Sequence, residues 1–92
     1  MSQHNEEFFA RNSELSIELS KLVLDHPEMD ELLTEEAVVV FLPDFDPELR
    51  EFNLRMGKEI ESEGGRVLYV RVQQMAPEIP SRLIGVEFRQ SV

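Results

Sequence analysis

The sequence predicts an α+β fold that is α/β-like in its middle. The expected order is an N-terminal helix, a short helix, a right-handed βαβ unit and a final antiparallel strand, giving a three-stranded mixed sheet packed with helices. Three observations carry this expectation. Apolar residues recur at helical spacing over residues 5–24. The run Ala37–Leu42 is wholly apolar and closes on Pro43. An Asp46-Pro47 pair then opens a long amphipathic stretch that ends at Gly64-Gly65 and leads directly into VLYVRV. With 92 residues, residues 1–92 are expected to form a single domain, because a chain this short has no material for a second core.

In the first helix, expected over Asn5–Leu24, the residues Phe8, Leu15, Leu19 and Leu22 share one stripe. Ala10, Ile17 and Leu24 form a second row at heptad spacing. Ser2 or Asn5 can cap its start, Glu6 and Glu7 suit its positive end, and Glu7 with Arg11 forms a well-ordered i,i+4 ion pair. The small side chains Ser13, Ser16 and Ser20 follow one flank, read as a solvated edge. Pro27 stops this helix and suits the first turn of the next, Glu28–Leu33, which offers Met29, Leu32 and Leu33 to the core. Thr34, Glu35 and Glu36 then break the pattern.

Ala37–Leu42 (AVVVFL) has the length and β-branching of a strand buried on both faces, which predicts a place in the middle of the sheet. The helix that follows, Pro47–Glu63, has Asp46 as its N-cap, Glu48 beside its positive end, and Leu49, Phe52, Met56 and Ile60 on one stripe. Gly64 and Gly65 supply the left-handed residue that closes it, and Val67–Val72 is the next strand. Short connections make this a βαβ unit with parallel strands and a right-handed crossover. Residues 73–81 (QQMAPEIPS) contain two prolines and no periodicity, too short a loop for another crossover helix. The strand Leu83–Arg89 should therefore return antiparallel, with Ile84, Val86 and Phe88 on its buried face.

Composition narrows the classes of function. Hydrophobic residues make up 41% of the chain, enough for a core without a metal to nucleate it. The chain has 0 cysteines, which excludes disulfides and thiolate metal sites and points to a reducing, cytoplasmic setting. The longest apolar run falls far short of the roughly 20 residues that cross a bilayer, and MSQHNEEFF lacks the order of a signal peptide. No membrane association is expected. A net charge of −10 repels phosphate backbones, so nucleic acid is not an expected partner. The charge is uneven: residues 1–63 hold 17 acids and 5 bases, a net of −12, and residues 64–92 hold 2 acids and 4 arginines, a net of +2.

Candidate chemistry is sparse. Asp44 and Asp46 flank Phe45 just after a buried strand, where ligands of open α/β sheets bind. Their spacing resembles the DxD of the haloacid dehalogenase phosphatases, but the further residues those enzymes need find no place in this chain. As an N-cap and a turn residue, both aspartates are accounted for without a metal. Parallel topology would bring Gln73, Gln74 and Arg82 to the same end, making a rim with Asp44 and Asp46 that suits a small polar ligand. His4 and His26 have no metal-ligand spacing, and His26 suits the negative end of a helix. The glycines form neither a phosphate loop nor a nucleophile elbow, and no cofactor is expected. Gly57, inside a helix, indicates a close packing contact. Tyr69 and Arg71 share a strand face and are residue types enriched in interface hot spots.

A helix ending in HPE (26–28), a strand closing on LPDFDPEL (42–49), a helix carrying Asn53, and EGG (63–65) before VLYVRV together resemble a family of small prokaryotic proteins of unknown function. The resemblance covers nearly the whole chain. It implies the same element order and a cytosolic prokaryotic setting, and it brings no assigned activity or catalytic residue.

The resulting expectation is a non-catalytic acidic interaction module. It forms a homodimer, either across the face of Tyr69 and Arg71 or edge to edge through Val86 and Phe88, and binds a basic protein, as the acidic half of a toxin–antitoxin pair does. The rival is a small ligand-binding protein or enzyme that uses the Asp44, Asp46 and Arg82 rim.

Overall fold

Strands β1 (Ala37–Pro43) and β2 (Arg66–Val72) run parallel, with Ala37 opposite Arg66 and Pro43 opposite Val72. They belong to a computed structural model that describes residues 3–33, 36–78 and 81–90, and the side chains of Gln3 and His4 are outside that description. Helix α2 (Pro47–Ser62) connects the strands, and helix α1 (Gln3–Asp25) with a 3-10 turn (Pro27–Leu32) precedes them. Ser2, Thr34 and Glu35, and residues 79 and 80 of the expected loop, lie outside the described residues.

Local chemistry sets both ends of α2. At its start the Asp46 side chain accepts from the Leu49 N–H at 3.2 Å, and Pro47 occupies a first-turn position that needs no donor. At its end Gly64 adopts φ +89°, the Gly65 N–H reaches Ile60 O at 2.9 Å and the Gly64 N–H reaches Glu61 O at 3.0 Å. That pair of bonds is a Schellman closure, and only glycine takes the left-handed position without strain.

Alternation along the paired strands puts Val39, Phe41, Val70 and Val72 on one face, and Val40, Leu42, Tyr69 and Arg71 on the other. The first face meets α1: Phe8 and Leu15 pack with Phe41 and Leu49, and Leu19, Phe52, Val70 and Val72 surround them. The rings of Phe8 and Phe52 are 4.5 Å apart. The second face meets α2, where Tyr69 lies against Gly57. Val40 and Phe41 are 2% and 7% exposed, so adjacent residues of β1 are buried on both faces as their sequence predicts.

The predicted third strand is absent from the described residues. The sheet has two strands, and Leu83–Arg89 is an exposed stretch without ladder partners. A strand is a pairing and not a local conformation, so alternation alone does not create one. Gly85, at φ +64°, also interrupts the extended backbone. β1 is consequently an edge strand, not a central one. Two smaller expectations also change. Pro27–Leu32 is a 3-10 turn with no buried residue and Leu32 is exposed, because six residues leave too little helix to reach the core. Ile17 and Leu24 of the second row on α1 face solvent, since none of the described residues covers that side. The Cα radius of gyration is 18.0 Å, against about 12 Å for a compact domain of this length.

Candidate functional site

The turn after β1 and the stretch after β2 lie at one end of the parallel pair, tied by the Asp44 N–H donating to Val72 O at 2.8 Å. Asp44 accepts from Arg71 Nε at 3.0 Å and Nη2 at 2.8 Å. These bonds hold the Asp44 carboxyl below its ordinary range and raise the Arg71 guanidinium. Asp46 accepts from Arg11 Nη1 at 2.9 Å while it caps α2. Arg11 also reaches Glu48 at 3.3 Å and stands 4.9 Å over the Phe8 ring, and its hydrogen bond to Asp46 is the largest cause of its raised pKa. Both negative charges of the turn are thus matched by guanidinium groups, one from β2 and one from α1.

Of the predicted rim, Asp44 and Asp46 flank the turn, and Gln73 and Gln74 line a neighbouring groove. Arg82 is exposed, and among the described residues it pairs with neither aspartate. The described residues contain no group of three or more His, Asp or Glu side chains placed to share a metal ion.

The larger concavity is an open groove of about 1260 Å³ between the second half of α1 and β2. Leu15, Leu19, Leu22, Phe41, Val70 and Val72 make it apolar, and Glu14, Glu18 and Glu78 stand around it. Lys21 and Arg71 also line it, but Lys21 is paired with Glu18 at 3.0 Å and Arg71 with Asp44. Glu14 and Glu78 have no ion pair among the described residues. The surface is therefore apolar with uncompensated negative charge, suited to an apolar, cationic segment. The sequence signalled the leucine stripe as core; it carried no sign that half of that stripe would remain open.

The residues expected at an interface are distributed differently. The Tyr69 ring packs on α2 and its hydroxyl donates to Glu61, which raises its pKa. Arg71 is engaged by Asp44. Val86 and Phe88 are on the exposed C-terminal stretch.

The sequence matches the Family of unknown function (DUF5647) over residues 7–86. The chain belongs to this family. The DUF5647 match spans both strands, α2, nearly all of α1 and the connection beyond β2, so the groove lies wholly within the extent of the family. No curated protein and no solved structure matches the chain. Among the described residues no helix is long and apolar enough to cross a membrane.

Proposed function

We propose that this DUF5647 chain is a non-catalytic interaction module that self-associates and binds a basic protein segment. The observation that carries this reading is the groove between α1 and β2, apolar at Leu15, Leu19, Val70 and Val72 and negative at Glu14 and Glu78. A net charge of −12 on residues 1–63 adds a long-range field that attracts a cationic partner and speeds its approach. An antitoxin-like role in the cytoplasm is one form such a module takes. The rival use of the Asp44, Asp46 and Arg82 rim has less support, because a ligand there must displace Arg71 or Arg11 from its carboxylate.

Two synthetic peptides test the reading by calorimetry, with the same spacing of leucines and either lysine or glutamate between them. The lysine peptide should bind, lose affinity steeply between low and physiological ionic strength, and fail to bind Glu14→Lys/Glu78→Lys. Equal binding of the glutamate peptide, or affinity indifferent to salt, would overturn the proposal.

A further inference from the structure

Stretch 81–90 leaves the body carrying Leu83, Ile84, Val86 and Phe88 at 75%, 95%, 51% and 97% exposure. Large apolar side chains this close together and this open mark a surface made to be covered. The uncovered template for them is β2. Alternate residues of a parallel strand point their N–H and C=O groups to opposite sides, and Asp44 N–H reaches toward β2, so the Phe41 carbonyl faces away from it. Asn53 Nδ2 donates to that carbonyl at 2.9 Å, which closes the outer edge of β1 at its centre. Among the described residues the outer edge of β2 has no strand neighbour, and Val70, Arg71 and Val72 line the groove beside it.

We infer that segment 82–89 of a second copy of this chain adds as a third, antiparallel strand along the free edge of β2, reciprocally, so that two copies exchange their C-terminal segments. The inference rests on the reading of the groove as a docking surface and names its occupant. Length agrees: Leu83–Arg89 has the seven residues of β2. Pattern agrees: Ile84, Val86 and Phe88 on one side can meet the apolar groove while Glu87 and Arg89 stay in water. Charge agrees as well. Arg89 is paired with Glu87 at 2.9 Å, which leaves Arg82 to meet the acids beside the groove, and segment 82–89, with Arg82 and Arg89 against Glu87, is net +1 where residues 1–63 are net −12. Exchange between copies, in place of folding back, follows from the path of the chain. Residues 73–78 already line the groove of their own copy, and stretch 81–90 beyond them is exposed along its whole length, so it stands clear of that groove and can reach another.

Sedimentation equilibrium and isotope-filtered NMR on the full chain test it. The wild type should be a dimer of twice 10.7 kDa, and Ile84→Asp/Phe88→Asp should lose at least ten-fold in association while the helical part of its far-ultraviolet circular dichroism is kept. In an equal mixture of labelled and unlabelled chains, contacts should appear between the Val70 or Val72 methyls of one copy and the Phe88 ring of the other. A wild-type monomer, a dimer indifferent to the double substitution, or contacts confined within one copy would each overturn the exchange. The lysine peptide separates the two proposals: if it binds the groove although the tail never docks there, the interaction module stands and the exchange alone fails.

Discussion

The side-chain amides of Asn12 and Asn53 bond to each other in both directions: Asn12 Nδ2 donates to Asn53 Oδ1 at 3.0 Å, and Asn53 Nδ2 donates to Asn12 Oδ1 at 2.8 Å. Asn53 is 1% exposed and also donates to Phe41 O, so one side chain joins α1, α2 and the edge of β1. Asn53→Ala leaves a buried carbonyl and an amide without partners and should cost about 1–3 kcal/mol. Asn12→Ala spares the bond to Phe41 and should cost less. Asn53→Asp, which cannot donate to Phe41 O, should not rescue stability. Urea unfolding of the three variants checks the order.

Gly57 sets helix propensity against packing. Alanine at this position gains up to about 1 kcal/mol of helix propensity. Its Cβ, however, would lie 2.7 Å from the Tyr69 hydroxyl and 2.8 Å from its ring, an overpacking that costs about 1–3 kcal/mol. Gly57→Ala should therefore destabilise the wild type and stabilise a Tyr69→Ala background. A destabilisation of equal size in both backgrounds would show that Tyr69 is not the obstacle.

Tyr69 is the single tyrosine of a chain with 0 tryptophans, so absorbance near 295 nm reports on it alone. Glu61 accepts a hydrogen bond from its hydroxyl and disfavours the phenolate, which raises its pKa above the ordinary 10.0. A raised pKa contributes stability that is complete below the unfolded value and is lost as pH rises through the folded one. The folded protein should titrate at higher pH than the urea-unfolded chain, and Glu61→Gln should move the folded midpoint down toward it.

Asp44 behaves in the opposite sense. Arg71 lowers its pKa below 3.8, so its contribution is complete above that value and is lost as pH falls through the folded one. Melting temperatures of wild type and Arg71→Gln should differ at pH 6 and converge in acid below the folded titration. A difference that persists unchanged there would assign the effect of Arg71 to packing.

What could be read from the sequence is what short-range chemistry decides. The cap at Asp46, the proline after it, the left-handed Gly64 and the β-branched run before Pro43 each act within a few residues, and α2, both strands and their parallel pairing follow from them. Asp44 and Asp46 were legible as turn and cap for the same reason. The buried row of α2 was legible only in part: it runs Leu49, Asn53, Gly57, and although Leu49 lies on the apolar stripe and Gly57 signals a close contact, a buried asparagine leaves no mark in a hydrophobic pattern. The guanidinium that holds Asp46 comes from Arg11, 35 positions away, and only packing of α1 on α2 brings it there. The same limit governs the end of the chain. Its alternation states that Leu83–Arg89 suits a strand, but pairing needs a partner edge, and tertiary structure alone decided that the edge beside β2 stands open as a groove.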